Sequence, residues 1–237
     1  MKIFILFVVL IFISYDAEAQ HLDAFFKQSD AFFKANVVNG KVGYNEIKND
    51  PKALEEVLKM AEDISVTKSD TSVYQAFWIN AYNLSVIKGI IDNYPINSPL
   101  DDQDFFDKTK YNIAGKKITL NEIEHQLLRA QFKDPRFHFV LVCGAIGCPP
   151  LLEAAYMPKT LNTQLDVQTR LAINGSFVRV NKKKNRVEVS QLMEWYKEDF
   201  TLNNNTEIDF INNYRSEKVN EKYKLYYFPY NWNLNKQ

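Results

Sequence analysis

The sequence predicts an α+β fold, a single mainly helical domain around a small sheet with hairpins. Most segments with a regular hydrophobic pattern carry their apolar residues at helical spacing. The strand-like runs are short, and most come in pairs that flank a turn, which is typical of antiparallel hairpins. Nothing recurs with a period of about 20 to 50 residues, so the pattern excludes a solenoid. Helices that outnumber paired strands in this way indicate the α+β class.

Helical patterns alternate with turns in the N-terminal half. Paired phenylalanines repeat at heptad spacing in the first helix, and Pro51 fits the first turn of the next one. Ala114-Gly115 joins two strand-like runs. Thr119 and Glu122 form a capping box at the start of the helix that comes next, and Asp134-Pro135 ends it. The predicted elements are helices at 21–34, 52–64, 72–94 and 119–132, a turn at Asn39-Gly40, and a hairpin of 110–113 with 116–118.

The C-terminal half carries one predicted buried strand and a second hairpin. Residues 137–143 form a continuous apolar run of strand length, which indicates a strand buried on both faces. Pro149-Pro150 favours the start of a helical stretch. The other predicted elements are helices at 161–173, 191–200 and 207–214, a hairpin of 177–180 with 186–189, and an aromatic tail at 224–235.

The composition limits the function classes. Of the 237 residues, 46% are hydrophobic and 24% are charged, which is typical of a globular chain and not of a disordered one. The 29 Lys and Arg residues are balanced by 29 Asp and Glu residues, whereas a general nucleic-acid binder needs an excess of positive charge. Two cysteines are too few for a disulfide scaffold. The charge balance therefore predicts no nucleic-acid partner. No phosphate-binding loop, dinucleotide fingerprint or GxSxG elbow is present, and we predict no cofactor.

The first 19 residues have the pattern of a secretory signal peptide. Lys2 precedes an apolar run at Ile3–Ile13, and small residues at Ala17 and Ala19 fit a cleavage site. This run is too short to span a bilayer of about 30 Å, although an uncleaved membrane anchor is the alternative. We therefore expect residues 20–237 to form the mature domain, exported to the periplasm or the medium and without a membrane span.

Two amides lie on the apolar face of the predicted 72–94 helix. At about 100° per residue, Asn80 and Asn83 fall in the middle of the buried arc. A buried amide destabilises the fold unless it finds hydrogen-bond partners. Either both side chains bind neighbouring backbone, or one of them lines a pocket and binds a polar substrate.

The predicted 119–132 helix buries a carboxylate. Glu124 lies well inside the apolar arc, His125 lies on its edge, and Arg129 faces solvent. A carboxylate among leucines and isoleucines is costly unless it is paired, and such a group is a candidate for a functional site. The structural alternative for Glu124 is a buried ion pair with Arg136.

The segment DPRFHFVLVCGAIGCPPL carries the reactive side chains. His138 enters the predicted strand, Cys143 ends it, and the chain turns through two glycines to Cys148. A thiol just before Pro149-Pro150 would lie at a helix N-terminus, where partial positive charge favours the thiolate. Cys143, at a strand end, is equally placed to point into a cleft. Both thiols are therefore candidate nucleophiles.

Spacing favours His125 over His138 as the partner of a thiol. Five residues of strand would separate His138 from Cys143 by about 16 Å and put them on opposite faces. The preceding helix must double back along that strand, which brings Glu124 and His125 towards the thiols. His138 could reach Cys148 only if the intervening glycine loop folds back.

Four interpretations of the cysteines remain open. A thiol nucleophile with a histidine base and a carboxylate would perform acyl transfer or peptidase-like chemistry. A Cys143–Cys148 disulfide suits an exported protein and requires the two Cα atoms to approach within about 7 Å. Zinc could use both cysteines with His125 and His138, but the spacing matches no familiar finger, and we predict no metal site. The cysteines could also be inert core residues.

Five motifs resemble the domain of unknown function 547 family: FWINAYN, TLNEIEHQLLR, DPRFHFVLVCGAIGCPPL, QLMEWYKEDF and PYNWNLN. The likeness runs in order from Gly40 to Asn235, and the CGxxxCPP and IEH elements are its most specific parts. Ile146-Gly147 departs from the family pattern, in which a serine often precedes the second cysteine.

The resemblance implies an exported bacterial protein or a part of a larger eukaryotic one. It also implies a distantly papain- or transglutaminase-like fold with a Cys–His–Glu site similar to that of thiol peptidases and transglutaminases. It favours His138, whereas the spacing favours His125. The matching positions are Glu124, His138, Cys143 and Cys148 for catalysis, with Asn80 and Asn83 for substrate binding.

These residues support two functional hypotheses. The first is an exported thiol-dependent hydrolase or acyltransferase acting on a peptide-like substrate, with Cys143 or Cys148 as nucleophile, His125 or His138 as base, and Glu124 as the group that orients the base. The second is a non-catalytic exported binding module in which a Cys143–Cys148 disulfide is structural and the aromatic tail lines a groove.

Overall fold

A computed structural model describes residues 20–237, and it confirms the α+β class. The predicted signal peptide, residues 1–19, lies outside the described residues. Within residues 20–237, no helix combines the length and the apolar character needed to traverse a bilayer.

Helices make up most of the fold, and several begin with the caps that their sequences indicate. Asp70 caps the longest helix by accepting the N–H of Val73 at 3.1 Å. The helices are α1 (residues 20–36), α2 (Tyr44–Asn49), α3 (Lys52–Asp63), α4 (Thr71–Asn93), α5 (Glu122–Arg129, continued by Ala130–Phe132), α6 (Leu161–Asn174), α7 (Gln191–Trp195), α8 (Lys197–Phe200) and α9 (Glu207–Tyr214).

The strands form two separate hairpins and one sheet of three strands. Both predicted hairpins are confirmed, and Asn39-Gly40 turns the chain with positive φ angles of 52° and 75°. The aromatic tail adds a strand parallel to the second hairpin, which the sequence did not predict. The strands are β1 (Val37–Val38), β2 (Lys41–Val42), β3 (Tyr111–Ile113), β4 (Lys116–Ile118), β5 (Val178–Asn181), β6 (Arg186–Ser190) and β7 (Lys224–Phe228), paired β1–β2, β3–β4 and β5–β6–β7.

Two hydrophobic clusters form the core. In α4 every residue from Tyr74 to Ile91 except Lys88 is buried, and α2, α3 and α5 pack against this helix. A helix that is apolar all round is stable only in the centre of a core, and α4 occupies that position in the larger cluster. The smaller cluster lies under the β5–β6–β7 sheet, and Tyr230 packs against both clusters.

The predicted strand at 137–143 is wrong. Pro135–Phe139 forms a short 3₁₀ helix whose first turn is capped by Asp134, and irregular chain continues to Cys143. The run is apolar because Phe137 enters the larger cluster and Phe139 enters the smaller one, and not because it is a pleated strand. The separation of about 16 Å between His138 and Cys143, which assumed strand geometry, therefore does not hold.

The predicted helical stretch after Pro149-Pro150 is also wrong, because the chain there is irregular up to Met157. Gly40 packs directly against Pro150 and keeps this segment beside the β1–β2 hairpin. Cys148 consequently does not lie at a helix N-terminus. The predicted 191–200 helix is interrupted at Tyr196, whose φ and ψ of −112° and 28° separate α7 from α8.

Candidate functional site

A cavity of about 320 Å³ lies where the two hydrophobic clusters meet. All five residues predicted as catalytic line it, and Asn80 and Asn83 do not. The lining consists of Tyr82, Phe106, Asp107, Asn121, Glu124, His125, His138, Leu141, Cys143, Cys148, Leu192, Trp195, Tyr196, Tyr230 and Trp232.

A larger and more open groove of about 880 Å³ runs beside α3. Two of its lysines form close pairs with neighbouring carboxylates, Lys59 with Glu62 at 2.6 Å and Lys88 with Asp92 at 2.5 Å. Paired surface charges of this kind usually form a solvated face. The smaller cavity is therefore the candidate site, because it gathers the reactive side chains.

Helix α5 supplies the cavity with Glu124 and His125 through a π-helical turn. The N–H of Ala130 bonds to the carbonyl of His125, five residues earlier, and π-helices occur frequently at functional sites. The predicted capping box is confirmed: the Thr119 N–H donates to the Glu122 carboxylate at 2.8 Å, and the Glu122 N–H donates to the Thr119 hydroxyl at 3.1 Å. These hydrogen bonds, chiefly the one from the Thr119 N–H, lower the pKa of Glu122.

Cys143 and Cys148 form a disulfide, one of the four interpretations that the sequence leaves open. Their Cα atoms are 6.4 Å apart, and Gly144, at φ +84°, turns the chain between them. The Tyr230 hydroxyl lies 3.0 Å from Cys143 Sγ and 2.8 Å from Cys148 Sγ. The Cys143 N–H also donates to Cys148 Sγ at 3.0 Å. Cys148 is the more buried of the two and receives more hydrogen bonds.

His138 is bonded to a carboxylate that lies far away in the sequence. Its Nε2 is 2.6 Å from Asp199 Oδ2, and the same oxygen accepts the Arg129 Nε–H at 2.7 Å. Burial favours the neutral acid of Asp199, but the hydrogen bonds from His138 and Arg129 outweigh it and hold the pKa of this carboxyl well below its usual range. Asp199 is therefore a carboxylate that holds the His138 ring in place.

The two histidines differ in the nitrogen that remains available. Arg129 Nη1 is 2.7 Å from His125 Nδ1, and a guanidinium can only donate, so Nδ1 accepts and the ring proton is on Nε2. His125 has no spare acceptor nitrogen in this arrangement. His138 donates through Nε2 to Asp199, which leaves its Nδ1 to take a proton. His138 is thus the histidine with a ring nitrogen left to accept a proton.

Arg129 also departs from the expected geometry. The α-helical wheel predicts that it faces solvent, but it pairs with Asp199 and lies with its guanidinium carbon 4.5 Å from the Tyr196 ring centroid. The π-helical turn of α5 has more residues per turn than an α-helix and rotates the side chains that come after it. Hydrophobic periodicity alone does not reveal this change of register.

Glu124 is only 9% exposed and accepts a hydrogen bond from the Tyr82 hydroxyl at 3.4 Å. Burial, and after it the negative charge of Glu124, raises the pKa of Tyr196. The pKa of Tyr82 is raised, first by burial and then by the negative charge of Glu124. Within residues 20–237, Glu124 forms no ion pair.

The predicted alternative of a Glu124–Arg136 pair is therefore wrong. Arg136 lies instead 2.6 Å from Asp134 and 2.8 Å from Asp166, on the far side of the 3₁₀ turn. Asp134 caps that turn, so its carboxylate is already next to the Arg136 backbone. Proximity along the chain decides the pairing with Asp134. Glu124 is left as a buried carboxylate whose hydrogen-bond partner is the Tyr82 hydroxyl.

Asn80 and Asn83 bind backbone. The Asn80 amide donates to the carbonyls of Ala76 and Tyr156 and accepts the Tyr156 N–H, all at 2.8–2.9 Å. Asn83 donates to the Val140 carbonyl and accepts the Val142 N–H at 2.9 Å. These amides hold the irregular segments on both sides of the cysteine loop against α4. This is the structural role that the sequence allowed as the alternative to substrate binding.

We expect Asn83→Ala to lower the free energy of unfolding by about 2–5 kcal/mol, because it leaves a buried carbonyl and a buried N–H without partners. Urea denaturation followed by circular dichroism measures the change. Asn112→Ala, at an exposed position of β3, is the control and should change stability by less than about 0.5 kcal/mol. Equal stabilities of the two variants would contradict the assigned role.

Sequence reasoning missed four groups of this site: Arg129 as a partner of the histidines, and Tyr196, Asp199 and Tyr230 altogether. The last three lie in the QLMEWYKEDF and PYNWNLN motifs, which the sequence singles out only through the resemblance. A signal was present, since both motifs carry polar groups within aromatic runs. In the described part of the chain, no three His, Cys, Asp or Glu side chains are arranged to hold a metal ion.

Comparison with known proteins yields one family and no individual relative. No curated protein and no solved structure matches the chain, so the likeness to papain and transglutaminases stays a prediction. The family described as "Protein of unknown function, DUF547" matches residues 66–171, which include Glu124, His138 and both cysteines. Asp199 and Tyr230 lie outside this segment, which is shorter than the predicted likeness. The resemblance is thus confirmed: in residues 66–171 this chain carries the sequence pattern of the DUF547 family of proteins of unknown function.

Proposed function

We propose that this protein is an exported thiol-dependent hydrolase or acyltransferase whose nucleophile is released when a dithiol reduces the Cys143–Cys148 disulfide. The observation that carries the proposal is that one cavity is lined by both cysteines and by His138, whose ring is hydrogen-bonded to Asp199. The signal-peptide pattern at the N-terminus supports export. In the reduced protein, a thiol and an imidazole would line one cavity, and a carboxylate would be bonded to the imidazole, which is the arrangement that nucleophilic acyl transfer needs.

Cys148 is the better thiolate of the two. Its sulfur receives the Cys143 N–H and the Tyr230 hydroxyl, and hydrogen bonds to a charged form lower its free energy. After reduction, the Cys143 thiol becomes a third donor. The Tyr230 hydroxyl has one proton to donate and lies nearer to Cys148 Sγ, at 2.8 Å, than to Cys143 Sγ, at 3.0 Å. Because Cys143 is also more exposed, we assign it the role of redox partner.

The roles of the remaining groups can be assigned from their hydrogen bonds. His138 takes the Cys148 proton at Nδ1, and the sulfur forms a bond to the acyl carbon of the substrate. The proton passes to the leaving group as its bond to that carbon breaks. Water or another acceptor then attacks the thioester, gives its proton to His138 and releases the thiol. Asp199 stabilises the imidazolium that forms transiently in both steps. Glu124, expected to orient the base, is not needed for that task.

A second candidate function is favoured by the disulfide itself. The sequence has two cysteines, and both are used in the bridge, so the oxidised protein has no thiol nucleophile. A non-catalytic exported binding module would keep this bridge permanently and use the aromatic cavity for a ligand. The two candidates differ in their response to reduction of the bridge, because only the enzyme gains an activity from it.

The test compares oxidised and reduced protein with 4-nitrophenyl acetate as the acyl donor. We expect the oxidised protein to be inert, and the reduced protein to release 4-nitrophenolate and to gain one acetyl group on Cys148 by peptide mass spectrometry. Cys148→Ser should abolish both the release of 4-nitrophenolate and the acetylation. Cys143→Ser cannot form the bridge, so it should react without any reductant.

Two results would contradict the proposed enzyme activity. One is a reduced protein that acetylates no faster than free cysteine at the same pH. The other is a Cys143→Ser variant that is inert although its circular dichroism spectrum equals that of the parent. Either result would favour the binding module.

A further inference from the structure

We infer that the cavity binds a positively charged group of its ligand, a lysine-like ammonium or an arginine-like guanidinium, between the Glu124 carboxylate and an aromatic wall of Trp195, Tyr230 and Trp232. As a statement about the substrate of an enzyme, this inference rests on the proposed function. As a statement about binding, it rests on the cavity alone.

The charge of the lining is the first observation. Asp107 and Glu124 line the cavity, and its lining contains neither lysine nor arginine. The guanidinium of Arg129, which contacts His125 of the lining, is compensated by Asp199 at 2.7 Å. The Nδ1 atom of His125 accepts a hydrogen bond from Arg129 and carries no proton. The lining is thus net negative, which attracts cations and disfavours anionic ligands.

The burial of Glu124 is the second observation. A carboxylate that is 9% exposed normally has a cationic partner, because burying an unpaired charge is costly. Within the described residues, Glu124 has the hydroxyl of Tyr82 as a hydrogen-bond partner and forms no ion pair. A ligand that brings its own positive charge would supply the missing partner.

The aromatic wall is the third observation. Tyr230 and Trp232 have ring centroids 4.7 Å apart, and Trp195 lies 5.0 Å from Tyr230 and 5.8 Å from Trp232. Trp195 is 46% exposed although it lines the cavity, which makes it the open side of the wall. Faces of tryptophan and tyrosine attract ammonium and guanidinium ions, and the attraction grows as the cation loses water.

The Glu124 carboxylate and the aromatic wall also determine the protonation state of the bound cation. A carboxylate and aromatic faces stabilise the protonated form of an amine, and a protonated amine is no nucleophile. A group bound here would therefore be a recognition element, such as a Lys or Arg side chain of a peptide, and not the amine that accepts the acyl group.

The experiment titrates the oxidised protein with small probes and monitors tryptophan fluorescence. We expect N-acetyl-lysine amide to bind about tenfold more tightly than N-acetyl-norleucine amide, which has the same aliphatic stem without the charge. The difference in affinity between the two probes should become smaller as salt is added, because salt screens the electrostatic attraction between the cationic probe and the carboxylates. N-acetyl-arginine amide should behave like the lysine probe.

Two variants with matched controls locate the site. Glu124→Gln keeps the hydrogen-bond acceptor and removes the charge, and it should reduce lysine binding about tenfold. Glu56→Gln, on the exposed face of α3, should leave it unchanged. Trp195→Ala should weaken binding about two- to fivefold, whereas Tyr226→Ala, equally exposed on β7, should not.

The inference fails if the lysine and norleucine probes bind equally, or if a folded Glu124→Gln variant binds lysine as tightly as the parent. Because the oxidised protein has no free thiol, these results do not depend on thiol chemistry. Binding of the lysine probe without acetylation of the reduced protein would support the cation site and contradict the proposed enzyme activity. Acetylation of the reduced protein without a preference for the lysine probe would support the enzyme activity and contradict the cation site.

Discussion

Replacing Asp199 by Asn should slow the acetylation of the reduced protein by 4-nitrophenyl acetate about 10²- to 10⁴-fold. The variant keeps the size of the side chain but loses the charge that stabilises the imidazolium of His138. It also weakens the contact with Arg129, which holds the carboxylate in place. Stopped-flow absorbance of the released 4-nitrophenolate measures the rate.

A second measurement separates positioning from a merely structural effect. In the parent, ¹⁵N NMR should find the His138 proton on Nε2, and Asp199→Asn should shift the ring towards a mixture of the two tautomers. Glu198→Gln removes an exposed carboxylate on the same helix and should change neither the rate nor the spectrum. An Asp199→Asn variant that acetylates at the parental rate would show that His138 acts without this carboxylate.

Gly40→Ala should lower the free energy of unfolding by about 2–5 kcal/mol. Gly40 has φ +75°, and a Cβ atom there would lie 2.5 Å from Pro150 Cβ and 2.7 Å from Pro150 Cα. An L-residue in the left-handed region costs about 1–2 kcal/mol, and overpacking adds about 1–3 kcal/mol. Because Pro150 is close to Cys148 in the chain, the displaced loop should also change the alkylation rate of the reduced cysteines.

Gly115→Ala is the matched control for this prediction. Gly115 has a similar φ of +69°, but nothing lies within 4 Å of an added Cβ. It should therefore cost only the backbone strain, about 1–2 kcal/mol. Guanidinium denaturation of both variants gives the difference. If the two substitutions lower the free energy of unfolding equally, the contact of an added Cβ with Pro150 carries no extra cost, and the prediction is wrong.

Local patterns in the sequence were sufficient for most of the regular structure. The Thr119–Glu122 capping box begins α5 as predicted, because its hydrogen bonds join residues three apart. The β3–β4 and β5–β6 hairpins arise from short runs around a turn. The burial of Glu124 and the exclusion of Asn80 and Asn83 from solvent also agree with helical periodicity.

Tertiary packing overrode the local pattern around the cysteines. Residues 137–143 are apolar enough for a strand, but no neighbouring strand within residues 20–237 pairs with them. Asn83 satisfies part of their backbone instead, and Phe137 and Phe139 divide between two clusters. An apolar run shows that a segment is buried, and it does not show which groups receive its backbone hydrogen bonds.

The sequence by itself determined the fold class, the family pattern in residues 66–171, and the side chains that could carry chemistry. Only the tertiary structure decided how those side chains are paired: Cys143 with Cys148, His138 with Asp199, and Glu124 with Tyr82. The reason is physical. Periodicity and capping depend on neighbours within a few residues. Asp199 contacts His138 from 61 residues further along the chain, and Tyr230 contacts Cys148 from 82 residues further, because separate elements pack together.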